Sequence, residues 1–141
     1  MANDFFPTAT HLSGLLAAVL SRLGRAEEGL RIVDEFRLDP EGVRCGELEY
    51  FHYHAGRSEA LFALGDHEQA LDYAEKALAH GTSINNQCLM TQGAGLLADL
   101  HLELDPACAI GLKMRDLQLS LSKKYGLAKS MRPPLKVSEA Q

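Results

Sequence analysis

The chain has 141 residues, of which 46% are hydrophobic and 6% aromatic, and it carries a formal net charge of −5. That length suits a single domain with one continuous core, and the acidic balance argues against broad nucleic-acid binding, which needs a basic surface. No stretch approaches the roughly 18 apolar residues of a membrane-spanning helix, and Met1 to Pro7 lacks the basic flank and apolar run of a secretory signal, so a cytoplasmic protein is expected.

Apolar residues recur at helical spacing, and no segment alternates long enough to suggest a sheet. The spacing predicts six helices at about 8–23, 26–38, 44–64, 67–80, 84–103 and 106–125. Gly24 ends the first. Asp39-Pro40 ends the second or caps the third, whose start is blurred by Gly42 and Gly46. Gly65 takes the positive φ that stops the third helix, and Asp66 caps the fourth. Gly81 suits the end of the fourth helix, and Ser83 is placed to cap the fifth. Asp105-Pro106 reads as a cap followed by a proline at the first helical position, and Gly126 as the terminus of the sixth helix. Beyond it, residues 126–141 form a basic tail with Pro133 and Pro134 and no sustained periodicity, expected to lack fixed structure in isolation. Its fixed φ angles suit docking as an extended segment in a groove, including the chain's own.

The turn at Gly65 is repeated. Leu61-Phe62-Ala63-Leu64-Gly65-Asp66-His67-Glu68-Gln69-Ala70-Leu71 matches Leu20-Ser21-Arg22-Leu23-Gly24-Arg25-Ala26-Glu27-Glu28-Gly29-Leu30, and a weaker copy runs from Leu100 to Ile110 with Leu104 in place of the glycine. The small-residue marks Gly29, Ala70 and Ala109 lie 41 and 39 residues apart. Ala70, Ala74 and Ala77 leave a flat stripe for close helix packing, with Leu71 and Leu78 beside it.

Residues 65–78, Gly65 to Leu78, resemble the turn and second helix of a tetratricopeptide repeat, whose usual period is about 34 residues. The longer spacing here is similar to that of repeats in bacterial regulators and chaperones. The resemblance covers roughly residues 10–125 and implies an all-α, right-handed superhelical stack of about three antiparallel hairpins over 1–125. Three hairpins are about the minimum for a stable array. It also implies a concave face lined by the first helix of each hairpin: His11, Gly14, Ala18, Ser21 and Arg22; His52, Ala55, Glu59, Phe62 and Ala63; Thr91, Ala94, Ala98, His101 and Leu102. The partner-binding candidates are Arg22, His52, Glu59, Phe62 and His101. Peptide-clamping members hold a terminal carboxylate with basic residues, whereas this face offers Arg22 and no lysine. It better suits an amphipathic helix or an extended apolar segment.

Other chemistry is weaker. His52 and His54 stand two apart, about 200° around a helix, so they cannot share one metal ion, and no His-Glu-x-x-His arrangement occurs. Phe51 with Tyr50 or Tyr53 is expected between hairpins, with one histidine facing solvent. No phosphate loop, nucleophile elbow or catalytic carboxylate pair is recognisable, so neither an enzyme nor a cofactor is expected. Gly93-Ala94-Gly95 reads as close helix packing. Cys45, Cys88 and Cys108 are an odd number without a pairing motif and are expected reduced; Cys88 and Cys108 suit packing within helices, while Cys45 near a helix start is the one with redox potential.

Charge is uneven. Residues 1–112 carry 7 Lys and Arg against 17 Asp and Glu, and residues 113–141 carry 7 against 2. The basic end either complements helix C-termini and solvates the tail, or contacts an acidic partner or a second subunit. The expected function is therefore an adaptor, chaperone or regulator that binds a protein or peptide, with no nucleic-acid or membrane partner. The alternatives are a sensor of a signalling peptide or small ligand, and a homodimer or larger self-assembly formed through an end hairpin or through Phe5 and Phe6.

Overall fold

The computed structural model describes the backbone of residues 2–35 and 47–126 and the side chains of residues 12–35 and 50–126. Among these residues the chain is all helical, with no strand: α1 (Ala2–Arg22), α2 (Ala26–Glu35), α3 (Glu47–Ala63), α4 (His67–Ser83), α5 (Gln87–Leu104) and α6 (Ala109–Tyr125). No described helix is long and apolar enough to cross a membrane. The helices pair as α1–α2, α3–α4 and α5–α6, and the pairs join through α1 and α2 on α3 and through α4 on α5.

The first two turns close in the same way. Gly24 and Gly65 have φ of 81° and 90°, and the following amides, Arg25 N–H and Asp66 N–H, donate to the carbonyls of Leu20 and Leu61 at 2.8 and 2.9 Å. These bonds satisfy helix-end carbonyls that lack partners within the helix, and glycine adopts the required conformation without a Cβ clash. Asp66 caps α4 by accepting from Gln69 N–H at 3.2 Å.

Four boundaries differ from the sequence expectation. Asp4-Phe5-Phe6-Pro7 belongs to α1, which begins at Ala2 and not near residue 8. Gly81 and Ser83 stay inside α4; Asn85 takes the left-handed conformation at φ 54°, and Asn86 rather than Ser83 caps α5 through Leu89 N–H at 3.0 Å. Asn is the non-glycine residue most tolerant of that conformation. At the third turn Pro106, and not Leu104, stands 41 residues after Gly65; Asp105 stays extended, its carboxylate accepts from Ala107 N–H at 3.0 Å, and α6 begins at Ala109, three residues after Pro106. Asp39-Pro40, Gly42, Gly46 and the 126–141 tail beyond Gly126 lie outside the described residues.

The core follows the small residues. Ala70, Ala74 and Ala77 are fully buried, with Phe51, Leu89, Leu96 and Leu100 around them, and Leu71 and Leu78 pack on that cluster. Gly29 lies against the Ala17 backbone, where an added Cβ would come within 3.0 Å of the carbonyl oxygen. The third mark is Gly111 and not Ala109: Ala109 is exposed, whereas Gly111 is buried against Leu102 and His101. Gly29, Ala70 and Gly111 stand 41 residues apart, as do the last residues of α1, α3 and α5, namely Arg22, Ala63 and Leu104. The repeat is thus regular in length. Gly93 and Gly95 perform as expected, one against Leu78 and the other against Gln118 of α6.

Stacking is less regular than length. At Gly14 and Gly56, α1 and α3 meet backbone to backbone, so that a Cβ on Gly14 would overlap the His52 carbonyl and one on Gly56 the Gly14 carbonyl. By contrast α3 barely meets α5, and the third hairpin is held chiefly through α4.

Candidate partner-binding surface

Where α3 and α5 separate, charged side chains span the face. Arg22, from the last turn of α1, donates its Nε–H to Glu59 of α3 at 3.0 Å, and Asp99 of α5 lies near enough to stabilise the same guanidinium. Burial lowers the Arg22 pKa, and Asp99 opposes that shift. Arg115 of α6 pairs with Asp99 and with Gln118, the residue that fills the space beside Gly95. The side chains of Glu59 and Asp99 are 1% and 8% exposed, against 27% and 30% for Arg22 and Arg115. Buried acids therefore hold two arginines whose side chains stay partly exposed. This ladder joins all three hairpins and is close to neutral.

The other candidates lie at varied positions. Phe62 is half-buried on the core, its ring 4.7 Å from that of His67. His101 is half-buried, with Nδ1 3.9 Å from the Cys108 sulfur. His52 is also half-buried, edge-on to Phe51 at 5.3 Å, and its carbonyl lies in the Gly14 crossing. Ala55, Thr91, Ala94 and Ala98 are buried between helices, so the accessible face is narrower than the resemblance implies. Asp99 and Arg115 were missed, because nothing in their own sequence context pairs residues 16 apart on different helices.

On the other side of α3 lies an aromatic and basic cluster. Phe51 and Tyr53 are buried as expected, and of the two histidines of the run His52 is partly exposed while His54 is 7% exposed, wedged against Tyr50 and Tyr73 at 4.4 and 5.6 Å. Neither of its ring nitrogens has a hydrogen-bond partner. Desolvation first, then the nearby positive charges of Lys76, His80 and Arg57, push its pKa down to about 4, with Asp72 opposing. Arg57 pairs with Asp34 of α2 and lies 5.2 Å from the Tyr73 ring centre. The cluster fastens α2, α3 and α4 together.

Two surface depressions flank these sites. One, of about 440 Å³, lies between α4 and α5 over Leu78, Ala79, Thr82 and Leu97; the other, of about 400 Å³, lies at the first two turns beside Arg25, Glu28 and Leu64. Among the described residues no three of His, Cys, Asp and Glu come together in a metal-holding set. Cys108 is the N-cap residue of α6 and not a residue within it, Cys88 accepts from Gln92 Nε2 at 3.3 Å, and Cys45 lies outside the described residues. No family model, no curated protein and no solved structure matches this chain.

Proposed function

We propose that the chain is a non-enzymatic, tetratricopeptide-like module, a right-handed superhelical stack of its three hairpins, acting in the cytoplasm as an adaptor, chaperone or regulator. Its ligand is a helical or extended segment of another protein, laid across α1, α3 and α5. One observation carries this reading: the Arg22–Glu59 and Asp99–Arg115 pairs cross three hairpins on one face, beside half-buried Phe62 and His101. Arginines already neutralised by buried acids and still partly exposed present a polar, near-neutral surface to a peptide and gain little from a carboxylate. Phe62 supplies an apolar contact, as aromatic anchors do at interfaces.

Peptides selected from a random display library on the full chain test this. Arg22→Gln combined with Glu59→Gln keeps the shapes, removes both charges and leaves no buried ion unpaired. The selected peptides are expected to bind the double variant at least tenfold more weakly, with the helical circular dichroism unchanged. Equal affinity would overturn the reading.

A further inference from the structure

We propose that the exposed face of α1 pairs with the same face of a second copy of this chain about a two-fold axis. Leu12, Leu15, Leu16, Val19 and Leu23 are exposed by 57, 37, 44, 52 and 66%. Leu12, Leu16, Val19 and Leu23 follow one another at intervals of four, three and four, the spacing that lines up one seam of a helix pair. The opposite side of α1, at Ser13, Gly14, Ala17, Ala18 and Leu20, is buried against α2 and α3, so the seam is the helix's second apolar face.

Charge selects the occupant. From residue 5 to residue 21 the chain has no Asp, Glu, Lys or Arg, although residues 1–112 as a whole carry ten more acidic than basic groups. At a two-fold interface each patch meets its own copy, and an acidic surface repels itself wherever it is charged. The seam of α1 is where two copies approach without that repulsion, and it offers nothing to a partner selected by charge.

Area is consistent with a dimer. The five side chains expose roughly 400 Å² of apolar surface per copy, so pairing them removes about 800 Å², and the remainder of the roughly 1,200–2,000 Å² of specific interfaces must come from the surface flanking the seam. This inference stands apart from the partner surface at Arg22 and Glu59 and survives its failure.

Sedimentation equilibrium and light scattering on the full chain from 1 to 100 µM test it, concentrations of the order at which a modest interface populates its dimer. Wild type is expected to reach the mass of two chains, and Leu16→Glu with Val19→Glu to stay at the mass of one with its helical signal retained. Should that double variant fail to fold, Val19→Ser alone is expected to raise the dimer dissociation constant at least tenfold. A single-chain mass for wild type throughout, which would leave the chain's own tail or a foreign helix as the occupant, overturns the proposal. So do open-ended assemblies, or a dimer that neither variant weakens.

Discussion

The first and second hairpins meet differently from the second and third, although all three repeat at 41 residues. At Gly14 and Gly56 the backbones of α1 and α3 touch, while α5 stands off from α3 and the space is crossed by Arg22, Glu59, Asp99 and Arg115. Equal repeat length therefore does not impose equal stacking. Two glycines lock the first junction, and without a matching pair the third hairpin leans on α4, leaving a polar face open between first helices.

The largest expected effect comes from breaking the locked junction. Gly56→Ala is expected to destabilise by about 3 kcal/mol or more through overpacking against backbone that cannot yield, measured by urea unfolding. Gly95→Ala, facing the flexible end of Gln118 within the third hairpin, is expected to cost less; equal losses would mean that the backbone contact at Gly56 is no less yielding than a side-chain contact.

Acid acts next, on the other side of α3. His54 has a folded pKa of about 4 against 6.5 unfolded, so the folded state disfavours its proton. The stability of the neutral form is full above pH 6.5 and falls as the unfolded chain takes up the proton, reaching roughly 3 kcal/mol lost near pH 4 and changing little below. His54→Phe is expected to flatten the stability profile between pH 6.5 and 4. An unchanged slope would remove His54 as its cause.

Arg22→Ala is expected to cost about 2 kcal/mol, because Glu59 stays buried and loses the Arg22 ion pair, while Arg22→Gln with Glu59→Gln costs less than half of that. Equal costs would make the ladder a matter of packing alone. The smallest effect belongs to the turns: Gly65→Ala is expected to cost about 1 kcal/mol through its positive φ, and thermal melts of Gly65→Ala and Gly24→Ala should shift alike.

Much of this architecture was legible in the residues. The glycine turns and the Asp66 cap follow from local chemistry within one hairpin, and the alanine stripe and the close packing at Gly93 and Gly95 were marked by small residues at helical spacing. The Asn85–Asn86 boundary was missed because Gly81 is buried in the α4–α5 contact, and a glycine used for packing looks like one used for a turn. The third mark was misplaced for another reason: aligning Leu100 with Leu61 sets the third copy two residues early, and at the regular spacing of 41 the close approach falls on Gly111. Arg22 and Glu59 were legible as candidates but not as a pair, and Asp99 with Arg115 not at all, since these contacts depend on how hairpins stack. The charge-free run of α1 was visible throughout; that Leu12, Leu16, Val19 and Leu23 stay exposed required knowing which face meets α3.

Hydroxyl-radical footprinting of the full chain, with and without a selected peptide, tests the open face most directly. Protection of Phe62, His101 and Leu102, with Tyr73, Leu119 and Tyr125 unchanged, is the expected result. Protection confined to the outer residues, or none at those three, would contradict a partner surface across α1, α3 and α5.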